Sequence, residues 1–375
     1  MLWKRIATAA VLIPVLIASI LLSVGRPWGW PFLLLCAVAA GLCAYEGFRM
    51  FLHCARDRAG GVALAVLVFF SATLLPGSFG VPAVLVCILL CALHVLPGEA
   101  DPAEKARRAA TLCLGAVSVG GLLSMYPRTL LLPRGEHWVF LGILAVAAGD
   151  TMAYFTGRAI GRRKLAPAIS PNKTVEGAVG GLLGSVGCAV LYAHGFLPGV
   201  PAGYAAAAGA AVGIFGQAGD LFESLVKRAA GVKDSGTLLP GHGGILDRAD
   251  GILGAGPVLY LFAALFYWRD ESSFAAPVLL AAAAVALLAF HRLRPAEAGR
   301  LLGLGQELPT QALTGFLVGV GIVQIALVDE PGFVFPTALA FAGTVAVLLV
   351  AGRESRMLRW LAYIAFAFNV CFLYV

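Results

Sequence analysis

Charged residues are scarce in this chain, and their scarcity excludes most soluble folds. Of its 375 residues only 13% are Asp, Glu, Lys or Arg, whereas 60% are hydrophobic and the mean hydropathy is +0.90. Soluble domains contain roughly 45–50% apolar residues. The longest polar loop lies within residues 224–250, so no separate soluble domain is expected. The composition predicts an all-α, polytopic helical bundle in the lipid bilayer of the cell membrane.

Paired cysteine motifs are also missing. The chain has eight cysteines, nearly all of them in apolar runs, and no C-x-x-C pair. This pattern indicates small buried hydrophobes rather than a disulfide framework or a zinc site.

Tandem repeats and low-complexity linkers are absent as well, which favours one continuous bundle.

Apolar runs near the 20 residues that cross a bilayer recur from end to end. The first run follows Lys4 and Arg5 but lacks a good cleavage site, so we interpret it as an uncleaved anchor. We predict thirteen spans, near residues 6–25, 30–51, 59–77, 80–97, 108–126, 137–157, 174–197, 201–226, 251–268, 274–291, 309–328, 333–351 and 357–375.

The basic residues are distributed unevenly between the two sides of these spans. Alternate loops, starting with the N-terminus, carry 23 of the 27 Lys and Arg residues. By the positive-inside rule this predicts a cytosolic N-terminus, a C-terminus outside, and a cytosolic loop at residues 224–250. The net charge of +7 thus reflects topology and requires no nucleic acid partner.

Closely spaced glycines mark the predicted helix contacts. The G-x-x-x-G pairs are Gly177 with Gly181, Gly180 with Gly184, and Gly209 with Gly213. Such spacing lets helix backbones approach closely within a bilayer. It favours tight packing inside one bundle, and a homodimer is the alternative.

The charges that do occur are concentrated in residues 224–250, which hold four cations and three carboxylates. Charge of both signs beside a span is costly unless it is paired, solvated or used. Fixed cations bind phosphates and fixed carboxylates bind a divalent metal. This stretch therefore predicts an active site for a phosphorylated, metal-bound substrate.

The eighth span carries one polar helical face. Gln217, Asp220, Ser224 and Lys227 are spaced by three, four and three residues, and Glu223 forms an i,i+4 pair with Lys227. Asp220 has two interpretations. It is a functional carboxylate, or it forms a structural ion pair with Lys227 or with a cation of a neighbouring helix.

Asp247 and Asp250 stand where the ninth span begins, and they too have two readings. One is an N-cap or helix-dipole role. The other is metal binding: Mg²⁺ takes oxygen ligands, and Asp220 and Asp247 come from two helices at one membrane face. Across a cleft these two carboxylates could hold Mg²⁺, which suits phosphoryl or nucleotidyl transfer.

The loop between the eighth and ninth predicted spans offers five potential phosphate contacts. Its glycines and Pro240 suit a close approach to a ligand, although an ordinary flexible connection explains them equally well. The contacts come from Lys227, Arg228, Lys233, His242 and Arg248.

An upstream polar zone, residues 150–177, adds to the site. Asp150 and Tyr154 share a helical face, and Ser170 to Thr174 form a turn before the next helix. Thr174 as cap gives an anion-binding N-terminus, with Lys173 beside it as the better ligand. Outside this zone, Glu46 is interpreted as structurally paired.

The polar stretch follows the pattern S-x-x-K-R-x4-K-D-x-G-x2-L-P-G-H-G-G-x-x-D-R-x-D from Ser224 to Asp250. In this respect the chain resembles the CDP-diacylglycerol synthase (phosphatidate cytidylyltransferase) family, and residues 150–177 resemble it too. The likeness covers roughly residues 1–268. Ala249 replaces a larger apolar residue, and residues 269–375 add about four spans of unknown role to the cytidylyltransferase-like domain at 1–268.

The resemblance implies that CTP and phosphatidate react, with Mg²⁺, to give CDP-diacylglycerol and pyrophosphate for phospholipid biosynthesis. The implied catalytic residues are Asp220, Asp247, Lys227 and Arg248. The implied substrate-binding residues are Ser224, Arg228, Lys233, His242, Lys173, Asp150 and Asp250. The alternatives are a CTP-dependent lipid kinase, a cytidylyltransferase for another lipid phosphate and, from another class, a transporter of phosphorylated solutes.

Overall fold

The computed structural model describes residues 2–75, 77–97, 101–239 and 243–267. The four spans predicted after residue 268, and the site residue His242, lie outside the described residues. The described helices are α1 (Leu2–Ser23), α2 (Trp30–Phe51), α3 (Ala55–Leu74), α4 (Gly77–Val95), α5 (Pro102–Ala116), α6 (Leu122–Leu130), α7 (Gly135–Ile160), α8 (Val175–Phe196), α9 (Ala202–Ala229) and α10 (Leu246–Tyr267).

The described helices confirm a helical bundle of membrane type. Seven segments are long and apolar enough to cross a membrane: Pro27–Phe51, Ala55–Leu74, Glu104–Leu130, Gly135–Ile160, Val175–Phe196, Ala202–Ala229 and Leu246–Tyr267. Two shorter apolar helices, Ala7–Ser23 and Val86–Val95, fall within the first and fourth predicted spans. The total of thirteen spans and the orientation of the N-terminus stay predictions.

The structure differs from the prediction at two places: within the fifth predicted span and in the polar segment between α7 and α8. The fifth span is interrupted by a π-helical turn, Val117–Gly121, that joins α5 to α6. The polar segment between α7 and α8 forms an antiparallel hairpin, β1 (Lys164–Ala166) with β2 (Ser170–Thr174), where a turn was predicted. A polar segment outside a helix must still pair its backbone groups, and a hairpin does so locally.

Glycines bring α7, α8 and α9 into close contact. A Cβ atom at Gly181 would lie 2.9 Å from the carbonyl oxygen of Gly149 on α7, and one at Gly209 would lie 2.9 Å from that of Ser185 on α8. The Ser185 hydroxyl donates to the carbonyl of Ala145 at 2.8 Å. These predicted G-x-x-x-G positions therefore serve packing within the chain.

Helices α9 and α10 also touch backbone to backbone. A Cβ atom at Gly219 would lie 3.0 Å from the Cα atom of Gly254 and 2.5 Å from the carbonyl oxygen of Asp250. Only glycine permits this approach. Because Asp220 follows Gly219 directly, the contact places the polar part of α9 beside the start of α10.

A buried aromatic residue anchors α2 against its neighbours. Phe48 is 2% exposed, and its ring lies where Cβ atoms at Gly61 of α3 and Gly115 of α5 would be. The C-terminal part of α2, which carries Glu46, is thereby packed inside the bundle.

Candidate active site

The first ion pair of the site joins the β-hairpin to α9. The ammonium of Lys173, next to the last residue of β2, lies 2.6 Å from Oδ2 of Asp220. One turn further along α9, the Ser224 hydroxyl donates to Oδ1 of Asp220 at 3.4 Å. The two paired side chains are 28% and 31% exposed, so solvent reaches them. The cation predicted as a structural partner of Asp220 thus comes from a neighbouring element.

The position of Lys173 is set by the start of α8. The Thr174 side chain caps this helix by accepting the N–H of Gly177 at 3.1 Å, as predicted. A Cβ atom at Gly161 would lie 2.7 Å from the same Thr174 oxygen. Thr174 is consequently enclosed between the end of α7 and the start of α8. Lys173 therefore projects from a fixed backbone position.

A carboxylate closes the turn that precedes the hairpin. Glu176, in the first turn of α8, accepts the backbone N–H of Arg162 at 3.0 Å and that of Arg163 at 3.2 Å. An acidic side chain here also suits the positive end of the helix. The contact secures the path of the chain from α7 into β1.

The second ion pair is buried between α9 and α10. The Lys227 ammonium lies 2.7 Å from Oδ1 of Asp247 and 2.5 Å from Oε2 of Glu223, which confirms the predicted i,i+4 pair. The three side chains are only 12%, 8% and 7% exposed. Buried charges are tolerated when they are paired and hydrogen-bonded.

Asp247 also holds the loop that precedes it. Its carboxylate accepts the N–H of Ser235 at 3.1 Å and the N–H of Gly244 at 2.9 Å. With Lys227, these donors engage both carboxylate oxygens. These contacts tie the loop to the first turn of α10, where an acidic side chain also suits the positive end of the helix.

Two further predicted carboxylates lie on α7 and α10. Asp150 of α7 is exposed, and Asp250 of α10 is partly buried. Oδ1 of Asp250 accepts the N–H of Gly251, the next residue, at 2.7 Å. Within the described residues, no group of three or more His, Cys, Asp and Glu side chains has a metal-binding arrangement.

The remaining predicted contacts lie at the periphery. The exposed Arg228 donates to the carbonyl oxygens of Ile169 and Val232, each at 3.2 Å, and so ties the end of α9 to the hairpin. Lys233 and Arg248 are exposed. Six predicted residues, Lys173, Asp220, Ser224, Lys227, Asp247 and Arg228, thus make direct contacts at this end of the bundle.

One acidic residue of the site was not predicted to belong to it. Glu46 of α2 is 1% exposed and accepts hydrogen bonds from the Ser235 hydroxyl and the Leu246 N–H, each at 3.0 Å. The predicted structural pairing is correct, but its partners belong to the site loop. An acid in an apolar helix is the signal in the sequence, and the partners lie too far along the chain to be inferred from it.

Comparisons with known proteins identify sequences that are similar to this chain. A sequence profile described as the cytidylyltransferase family matches residues 3–266. Phosphatidate cytidylyltransferase of Brucella suis biovar 1 (strain 1330) is 51% identical over 142 residues, which cover 38% of this chain and 52% of that protein. Phosphatidate cytidylyltransferase of Bacillus subtilis (strain 168) is 45% identical over 132 residues, which cover 35% of this chain and 49% of that protein.

A third relative, phosphatidate cytidylyltransferase of Staphylococcus aureus (strain COL), is 43% identical over 158 residues, 40% of this chain and 57% of that protein. The chain thus spans about half the length of the curated relatives it matches. The family profile extends much further, from the start of α1 to the end of α10. On that match, this chain belongs to the cytidylyltransferase family.

Proposed function

We propose that this protein transfers the cytidylyl group of CTP to phosphatidate, giving CDP-diacylglycerol and pyrophosphate for phospholipid biosynthesis. The observation that carries the proposal is the presence of two lysine–aspartate pairs, Lys173 with Asp220 and Lys227 with Asp247, on adjoining elements. The relatives named phosphatidate cytidylyltransferase support the choice of substrates.

The reaction needs no nucleophile from the protein. A phosphate oxygen of the lipid attacks the α-phosphorus of CTP and forms the new phosphoanhydride bond. The bond from the α-phosphorus to the oxygen that bridges to the β-phosphate breaks, and pyrophosphate leaves with that electron pair. The task of the protein is to align two anions and to neutralise the charge that develops on them.

The two lysines are suited to different parts of this task. Lys227 is buried and held by Glu223 as well as by Asp247, so it provides a fixed positive charge. Lys173 is partly exposed and holds a single carboxylate, so a substrate phosphate can compete for it. We assign the exposed Arg228, Lys233 and Arg248, together with His242, to the phosphates and the departing pyrophosphate.

Magnesium fits Asp220 better than Asp247. The Asp220 carboxylate is partly exposed, and its partner is a partly exposed lysine. Asp247 already accepts two backbone N–H groups, so it becomes a ligand only if Lys227 releases Oδ1. Bound Mg²⁺ would neutralise the triphosphate, and Asp220 with Asp247 remains the proposed ligand pair.

The placement of the site in the membrane follows from the distribution of basic residues. We assign the N-terminus and this end of the bundle to the cytosol, where CTP is available, while phosphatidate enters from the bilayer. Residues 1–268 carry the reaction in this proposal. A homodimer has less support, because Gly181 and Gly209 pack within the chain.

Product analysis tests the proposal. The purified protein, in bilayer nanodiscs that contain phosphatidate, is given Mg²⁺ and CTP labelled at the α-phosphorus. We expect label in CDP-diacylglycerol and one pyrophosphate for each lipid formed. Labelled CDP with a newly phosphorylated lipid would instead establish a lipid kinase, and counterflow of a phosphorylated solute without pyrophosphate release would establish a transporter.

A further inference from the structure

Glu46 holds both ends of the loop that leads into α10. Its carboxylate, 1% exposed, accepts the hydroxyl of Ser235 and the N–H of Leu246, each at 3.0 Å. A hydrogen bond is electrostatically stronger where water is excluded than at the surface. One buried side chain of α2 thus fixes two points eleven residues apart in the chain.

Both of these points are linked directly to Asp247. The N–H of Ser235 donates to the Asp247 carboxylate while its hydroxyl donates to Glu46. Leu246 is the residue before Asp247. We infer that Glu46 is a positioning residue, which sets the carboxylate of Asp247 and, through it, the ammonium of Lys227. The catalytic part of this inference rests on the proposed function.

The glycines of the loop provide independent support. A Cβ atom at Gly236 would lie 2.7 Å from Cδ and 3.0 Å from Cγ of Glu46, and one at Gly244 would lie 2.9 Å from the same Cδ. Real Cβ atoms essentially never approach other heavy atoms within 3.0 Å. Glu46 is therefore enclosed between two glycines. A methyl group at Gly236 would meet Glu46, and one at Gly244 would meet both Ser235 and Glu46.

The two oxygens of Glu46 are used differently. Oε2 accepts both hydrogen bonds, whereas Oε1 has no hydrogen-bond partner among the described residues. Glu46→Gln keeps an acceptor at the Oε2 position. Glu46→Ala leaves a buried hydroxyl and a buried N–H unpaired, so the loop is expected to shift.

The test compares these two variants with the full-length wild type in phosphatidate nanodiscs. Because small misplacements of catalytic groups cost about 100-fold in rate, we expect Glu46→Ala to lower kcat by about that factor with little change in KM for CTP. Glu46→Gln is expected to stay within about fivefold of wild type, since its hydrogen bonds persist. Asp57→Asn is the matched control, because Asp57 is also a buried acid but pairs with Arg108 and His94.

Hydrogen exchange, measured on the same samples, is independent of turnover. Peptides that cover residues 233–250 should exchange faster in Glu46→Ala, whereas peptides from α7 and α8 should not change. Unchanged exchange and wild-type kcat in Glu46→Ala would overturn the inference, as would equal losses in all three variants. Failure of the wild type to make CDP-lipid would instead count against the proposed function, and exchange would still decide the role of Glu46.

A double-mutant cycle sharpens the result. Gly236→Ala alone should lower kcat, because the new methyl group meets Glu46. Contacting residues give non-additive effects, so Gly236→Ala with Glu46→Ala should remain within about threefold of Glu46→Ala alone. Losses that multiply would show that Glu46 and Gly236 act independently and would contradict the steric argument.

Discussion

The two lysine–aspartate pairs of this site have the same chemistry and opposite surroundings. Lys173 with Asp220 is partly exposed and involves one carboxylate. Lys227 with Asp247 is buried, includes Glu223 and is braced by two backbone N–H groups. In the proposed function, the partly exposed pair exchanges its partner for a substrate phosphate, whereas the buried pair holds the framework.

Removal of the buried cation should have the largest effect. Lys227→Met leaves Glu223 and Asp247 buried with no cation between them. Breaking a buried pair by removing one partner costs about 3–5 kcal/mol, so we expect a clear drop in the thermal unfolding midpoint and no CDP-lipid. An unchanged midpoint would show that the buried pair does not support the fold.

The exposed pair should separate activity from stability. Lys173→Met is expected to change stability by less than about 1 kcal/mol, because exposed ion pairs contribute little. Its kcat/KM for CTP should still fall about 100-fold, equivalent to about 2.7 kcal/mol of lost transition-state stabilisation. Steady-state kinetics and a thermal shift measurement on the same preparation check both statements.

If Lys173→Met unfolds as readily as Lys227→Met, the contrast between the two pairs disappears. Lys105→Met serves as a control, since Lys105 donates to the Leu96 carbonyl on another loop.

The smallest effect is expected at Ser224. Its hydroxyl is 3.4 Å from Asp220, a long hydrogen bond that orients the carboxylate only weakly. Ser224→Ala should raise the Mg²⁺ concentration for half-maximal activity about twofold, in line with a loss of at most about 0.5 kcal/mol. A tenfold rise in that concentration would show that Ser224 itself contributes to metal or substrate binding.

Local patterns in the sequence predict much of this site. The spacing of Asp220, Ser224 and Lys227 places them along one side of α9, and Thr174 caps α8. Residues three or four apart on a helix are neighbours in any fold, so the pair of Glu223 and Lys227 follows from spacing alone. The length of the apolar runs predicts the spans, and the nine predicted before residue 268 each overlap a described helix.

Contacts between distant parts of the chain could not be predicted in this way. The pairing of Lys173 with Asp220 depends on a hairpin, where the polar composition indicated only a turn. Glu46 contacts Ser235 and Leu246 because glycines on several helices allow close packing, and no spacing rule encodes that arrangement. The sequence therefore predicts which residues are polar neighbours along a helix, and packing determines which helices share them.

The most direct test of the account compares Asp220→Asn with Asp247→Asn. Each variant, folded and in phosphatidate nanodiscs, is given CTP labelled at the α-phosphorus, and labelled CDP-lipid is measured in a single turnover. If both lysine–aspartate pairs serve one reaction centre, each substitution alone should reduce product formation by about 100-fold or more. Near-normal product formation by either folded variant would contradict a shared centre.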